Sequence, residues 1–206
     1  MKIALLGAES TGKTVLSQAL AGELRARGHA VEVVPEFLRE WCVREGRTPR
    51  PEEQLPIAQE QERRVDAAAA LAGIVIADTT ALMVAIYSAM LFEDGTLYRF
   101  ALDRQLSYDL TLVTGLDLPW IADGLQRDGP HVREPVDALV REALAKAAVP
   151  YRVVYGTGEE RTRNALAPVL ALLGDKPAST GAARWTWVCD KCSDPECEHR
   201  LFTGLR

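Results

Sequence analysis

The chain has 206 residues, a formal net charge of -5 and no apolar run long enough to cross a bilayer. That length suits one domain with a full core plus an appendage, and two complete domains would be cramped. The acidic balance argues against a general nucleic-acid binder, which carries a basic face, and the N-terminus enters a strand with no signal-like region, so a cytoplasmic protein is expected.

In chain order, Ile3 to Leu6 reads as a short buried strand, and Val15 to Leu24 has the apolar spacing of an amphipathic helix. Between them lies Gly7-Ala8-Glu9-Ser10-Thr11-Gly12-Lys13-Thr14, which fits the P-loop pattern GxxxxGK[ST] at every fixed position. Gly7 and Gly12 let the backbone turn its N–H groups inward. Together with the positive end of the next helix they make a site for nucleotide phosphates. The expected nucleotide-binding set is Gly7, Glu9, Ser10, Thr11, Gly12, Lys13 and Thr14, with Lys13 on the outer phosphates and the Thr14 hydroxyl on Mg²⁺.

The run Ala30 to Val34 reads as a second strand, followed by Pro35-Glu36-Phe37-Leu38-Arg39-Glu40. Ligands of open α/β sheets sit beyond the carboxyl ends of the strands, so Glu36 and Arg39 are expected to face the P-loop crevice, where a second substrate binds. Arg44 to Pro56, with three prolines, reads as a loop, and Ile57 to Leu71 as a solvated helix. Gly73 to Thr80 is a third strand carrying Asp78 at its end, the form of a Walker B strand; Asp78 either organises Mg²⁺ opposite Thr14 or caps the helix that follows.

A helix over Ala81 to Leu91, a turn at Glu93-Asp94-Gly95 and a helix through Leu106 lead to a fourth strand, Leu110 to Val113. The turn-rich stretch Gly115 to Gly129 and a helix from about Val132 to Ala147 carry Arg127 and Arg133. These arginines are either charge stabilisers on a lid over the transferring phosphate or salt-bridge partners of Asp128 and Glu134. Tyr151 to Tyr155 supplies a fifth strand, and Gly156-Thr157-Gly158 opens a helix to Leu173. Alternating strands and helices predict an α/β three-layer sandwich around a five-stranded parallel sheet over residues 1–174.

Residues 175–184 read as a linker, and residues 185–206 as a small tail in which Cys189, Cys192, Cys197 and His199 form CxxC followed by CxH. The four suit a structural zinc knuckle, against unligated thiols or a disulfide, and His199 ligates only if the chain turns there. Such a tail either staples onto the core or presents Trp185, Trp187 and Phe202 to a protein partner.

With the P-loop, Pro35-Glu36-Phe37, Ala77-Asp78-Thr79 and Leu118-Pro119-Trp120-Ile121-Ala122-Asp123-Gly124-Leu125 in hand, the stretch Met1 to Leu173 resembles the ribosylnicotinamide kinase domain of NadR-type proteins. These are P-loop NTPases of the AAA-type ATP-binding and kinase group. The resemblance implies transfer of the ATP γ-phosphate to the ribose 5′-hydroxyl of nicotinamide riboside, a step in NAD synthesis. In that pattern an arginine follows the Gly-Leu pair directly, whereas here Gln126 intervenes before Arg127. The zinc-like tail is not part of the pattern. The expected mechanism puts Lys13, Arg127 and Arg133 on phosphate charge, with Glu36 and Asp78 sharing the roles of base and metal organiser in either order. The alternative function is an ATP-driven regulatory switch whose tail recruits a protein.

Overall fold

The computed structural model describes residues 1–121 and 129–174. Five apolar runs form one all-parallel sheet: β1 Lys2–Leu6, β2 Val31–Val34, β3 Ile74–Asp78, β4 Leu110–Thr114 and β5 Arg152–Val154, in the order β2-β3-β1-β4-β5. The four residues Ile3 to Leu6 and all five of β3 are buried, as strands covered on both faces require. Successive side chains alternate between faces, and the register aligns Ala4 with Ala77 and Leu6 with Val113. That face carries the clusters built with Val65, Leu82, Ile86, Val136 and Val140. Ile3, Leu5 and Ile76 point to the other face, where α1 (Lys13–Ala26) lies against β1, β2 and β3. By the same parity Asp78, in register with Leu5, points toward α1.

The remaining helices are α2 Phe37–Glu45, α3 Pro51–Ala69, α4 Ala81–Phe92, α5 Leu97–Gln105, α6 Arg133–Lys146 and α7 Gly158–Leu173, with a 3-10 turn at Pro130–Val132 before α6. By its internal contacts the chain divides into two compact units, Met1–Leu166 and Ala167–Arg206, and α7 runs through the boundary. Of the second unit the described residues, 167–174, complete that helix and the turn after it.

One expectation needs correction. The segment Arg44 to Pro56 is not a loop: α2 occupies its start, and α3 begins at Pro51 and contains Pro56. Proline at the first helical position gives up an N–H that has no helical partner there, so Pro51 starts the helix instead of stopping it. The start is further fixed by the Glu53 carboxylate, which accepts from the Arg50 N–H at 2.7 Å and from the Arg47 guanidinium at 2.7 Å. The Arg47 hydrogen bonds hold the Glu53 carboxyl down at about 2. Between Glu45 and Pro51 the loop is therefore short. The linker at 175–184 and the Cys189, Cys192, Cys197 and His199 knuckle lie outside the described residues.

Because Ile76 is fully buried in a strand paired on both sides, Ile76→Ala should lower the unfolding free energy by about 2–5 kcal/mol, measured by urea titration.

Candidate active site

After Leu6 the chain turns at Gly7, whose φ of 142° suits a residue without a side chain. The constraint is also steric. A Cβ on Gly7 would lie 2.1 Å from Oγ1 of Thr114, the last residue of β4, so the loop reaches this position only with glycine there. The Thr11 and Thr114 hydroxyls are 2.7 Å apart and share their two protons with the carbonyls of Ala8 and Leu6, at 2.8 and 3.1 Å. The loop is thereby fastened to the tips of both central strands. Gly12, in the left-handed region at φ 74°, precedes α1, and no side chain caps that helix end. Its first N–H groups remain as donors for an anion.

The Lys13 ammonium folds back over the loop and donates to the carbonyls of Gly7 at 2.9 Å and Ala8 at 2.8 Å. Ser10, at the loop tip, donates from its hydroxyl to the Ile121 carbonyl at 2.9 Å and accepts from the Ile121 N–H at 2.8 Å. Glu9 and Thr11 are buried beneath. A cleft of about 430 Å³ opens over residues 10–14 and is lined on its far sides by Arg39, Leu118, Ile121, Arg161 and Thr162.

Asp78 ends β3 directly opposite the start of α1. Its Oδ2 accepts from the Thr14 hydroxyl at 2.6 Å. The cap of α4 is Thr80 instead, whose side chain accepts from the Leu82 N–H, so of the two roles open to Asp78 the cap falls away. The other carboxylate oxygen, Oδ1, is buried with no hydrogen-bond partner among the described residues. No cluster of three or more His, Cys, Asp or Glu among the described residues could hold a metal by itself. A hydroxyl and one carboxylate with a spare oxygen, beside a phosphate cradle, is the donor set that suits Mg²⁺, which keeps waters and takes much of its shell from the nucleotide.

Glu36 precedes α2 and is paired with Arg39, at 3.1 Å from the guanidinium. Of this pair Arg39, on the first turn of α2, lines the cleft, and Glu36 is not among its lining residues. Arg133, at the start of α6, is buried, and its Nη2 donates to the Leu116 carbonyl at 3.3 Å. Among the described residues it makes no ion pair with Glu134. Arg127 and Asp128 lie outside the described residues.

Arg161, on the first turns of α7, was not legible in the sequence. It is 4 % exposed, and its guanidinium donates to Asp117 Oδ1 at 2.9 Å, to the Gly156 carbonyl at 3.0 Å and to the Thr11 carbonyl at 3.0 Å. Asp117 in turn accepts from the Gly156 N–H at 2.6 Å. One arginine thus ties the P-loop to the turns after β4 and β5. Its signal was slight, one of two arginines in a charged helical stretch following Gly156-Thr157-Gly158. Thr79 is the other surprise: a β-branched residue at φ 85°, buried directly after Asp78. Such a conformation costs about 1–3 kcal/mol and persists where neighbours over-determine it.

A parallel sheet in the order β2-β3-β1-β4-β5, a phosphate loop between β1 and α1, and a carboxylate at the tip of β3 define a P-loop NTPase. The chain belongs to the family described as AAA domain, whose pattern matches residues 2–161. Among solved structures it is similar to a NadR protein in complex with NAD and AMP-PNP, at a TM-score of 0.69 and 21% identity over 88% of this chain and 51% of that one. A NadR protein in complex with NR aligns at a TM-score of 0.68 and 19% identity, over 88% of this chain and 52% of that one. The likeness is one of fold, and the chain spans about half the length of those proteins. No curated protein sequence matches it significantly.

Two substitutions test the cradle. Gly7→Ala should weaken binding of Mg·ATP by about 3 kcal/mol, roughly a hundredfold, in a calorimetric titration, because the added methyl has to displace Thr114. Arg161→Ala should destabilise the fold by about 2–4 kcal/mol in urea, leaving Asp117 and three carbonyls without their donor.

Proposed function

We propose that the protein is an ATP-dependent small-molecule kinase that phosphorylates the ribose 5′-hydroxyl of nicotinamide riboside or a related nucleoside. The observation that carries this reading is the Thr14–Asp78 hydrogen bond of 2.6 Å beside the uncapped start of α1, with Asp78 Oδ1 left over for a cation. Support for the acceptor comes from the NadR fold, seen in complexes with NAD, AMP-PNP and NR. It comes also from Arg39, which lines the cleft and is paired with Glu36.

In this mechanism the loop amides from Gly7 to Thr14 hold the triphosphate. Lys13 leaves the carbonyls of Gly7 and Ala8 to reach the outer phosphates, a move its flexible stem permits. Thr14 and Asp78 would hold Mg²⁺, which neutralises charge on the phosphates when bound. The bond between Thr14 and Asp78 favours Asp78 as metal organiser, so the role of base falls to Glu36. Its carboxylate takes the proton of the acceptor hydroxyl as the oxygen–phosphorus bond forms and the bond to the ADP oxygen breaks, while Arg39, donating from Nε at 3.2 Å, holds that carboxylate in place. Arg133, and Arg127 in the segment before it, would stabilise the charge on the transferring group. Positioning and electrostatics supply most of the rate, since phosphoryl transfer asks for little covalent chemistry from the protein. The alternative of an ATP-driven switch rests on the tail, which lies outside the described residues.

The test is ADP release from Mg·ATP with and without each of a panel of nucleosides including nicotinamide riboside, with the product identified as the 5′-phosphate. Stimulation by one nucleoside and formation of its monophosphate supports the kinase; a basal rate that no nucleoside raises contradicts it. Lys13→Ala should abolish transfer with an unchanged circular-dichroism spectrum, and Glu36→Gln should lower kcat by about 10²–10⁴-fold.

A further inference from the structure

A single buried side-chain amide joins the backbone just after Glu36 to the backbone just after Asp78. Gln61, on α3, is 1 % exposed. Its Oε1 accepts from the Phe37 N–H at 2.8 Å, and its Nε2 donates to the Thr79 carbonyl at 3.3 Å. Phe37 directly follows Glu36, and Thr79 directly follows Asp78. The partners also fix which way the amide faces, because only its oxygen can accept from an N–H and only its nitrogen can donate to a carbonyl.

The strut is stiff at both ends. On α3 the next residue, Glu62, accepts from the Ala81 N–H at 2.9 Å and from the Tyr108 hydroxyl at 3.1 Å, so the helix cannot slide past the start of α4 without breaking buried hydrogen bonds. At the far end, the Thr79 N–H donates to the Leu5 carbonyl of β1 at 3.1 Å while its carbonyl is held by Gln61. Thr79 is thus held at both its N–H and its carbonyl, which is how a buried threonine can remain at φ 85°. A backbone forced into that region relaxes when one of its restraints goes, and the residue before it turns with the peptide plane. Here that residue is Asp78.

We propose that Gln61 is a positioning residue that sets the spacing and aim of the Glu36 and Asp78 carboxylates. The inference rests on the kinase reading for its effect on turnover. It touches neither nucleotide nor acceptor; it acts through the two backbones that bear the acids. Gln54, one helical face along, is also buried, but its Oε1 has no hydrogen-bond partner among the described residues and it joins nothing.

Gln61→Met keeps the length and apolar stem and removes both hydrogen bonds; Gln61→Glu keeps the acceptor for Phe37 and loses the donor to Thr79. The readouts are kcat and KM for Mg·ATP with the best nucleoside acceptor, and amide hydrogen exchange at Phe37 measured by NMR. Gln61→Met is expected to lower kcat at least tenfold, to leave KM for Mg·ATP within threefold, and to speed exchange at Phe37 at least tenfold. Gln61→Glu should keep the Phe37 protection and still lower kcat. A variant with wild-type kcat, or one whose kcat and ATP affinity fall together, would overturn the inference. So would a Phe37 amide that exchanges at the free-loop rate in the unsubstituted protein, a measurement that stands even if both variants fail to fold. If the unsubstituted protein phosphorylates no nucleoside, the kinase reading fails alone, and exchange at Phe37 still decides whether Gln61 holds that loop.

Discussion

The absence of a side chain at Gly7 is the constraint from which the rest of the site follows. It lets the end of β1 pass within a hydroxyl's reach of Thr114, so that the loop hangs from β1 and β4 together instead of swinging on one strand. From that fixed start the chain has to turn at Gly12 into α1 with its first amides uncapped, and Thr14 arrives beside Asp78. Arg161 secures the same loop from the other side through the Thr11 carbonyl. A phosphate cradle made of backbone amides works only if the amides do not move when the anion arrives, and these contacts hold them.

Against the face of the sheet that carries Ala4 and Ala77 lies a layer of buried polar side chains that an apolar core would not need. Thr80 donates to Gln105 at 2.7 Å, Gln105 donates to Thr111 at 2.9 Å, and Glu62 bridges α4 and Tyr108. Burial, with the Glu62 carboxylate beside it, raises the Tyr108 hydroxyl well above its usual range, so it stays a neutral donor. Each of these groups is paired, which is the condition under which buried polarity rigidifies a fold instead of weakening it. The effect is to hold the first turn of α4, and with it the strained peptide after Asp78, against the sheet.

Much of this was legible in the sequence. Strand runs such as Ile3 to Leu6 announce themselves by unbroken burial, and the P-loop fits its pattern at fixed spacing, so β1, the loop and α1 follow from local chemistry. Sequence patterns mislead where one residue type has two uses. Prolines that usually break helices stand at the first turn of α3 and inside it. Such patterns carry no signal where partners are far apart in the chain: Arg161 meets Thr11 across 150 positions, and Gln61 meets Phe37 across 24, with no periodicity to connect them. Gln61 and Glu62 in particular look solvated in a helix rich in Gln, Glu and Arg, and only packing reveals that this stretch turns inward.

The most direct test of the account is a crystal structure of the protein with Mg²⁺ and AMP-PNP. The account predicts β- and γ-phosphates on the amides of residues 7–14, Lys13 moved off the Gly7 and Ala8 carbonyls that it holds at 2.9 and 2.8 Å, and the cation beside Thr14 and Asp78. A nucleotide bound elsewhere, with Lys13 still on those two carbonyls, would contradict it.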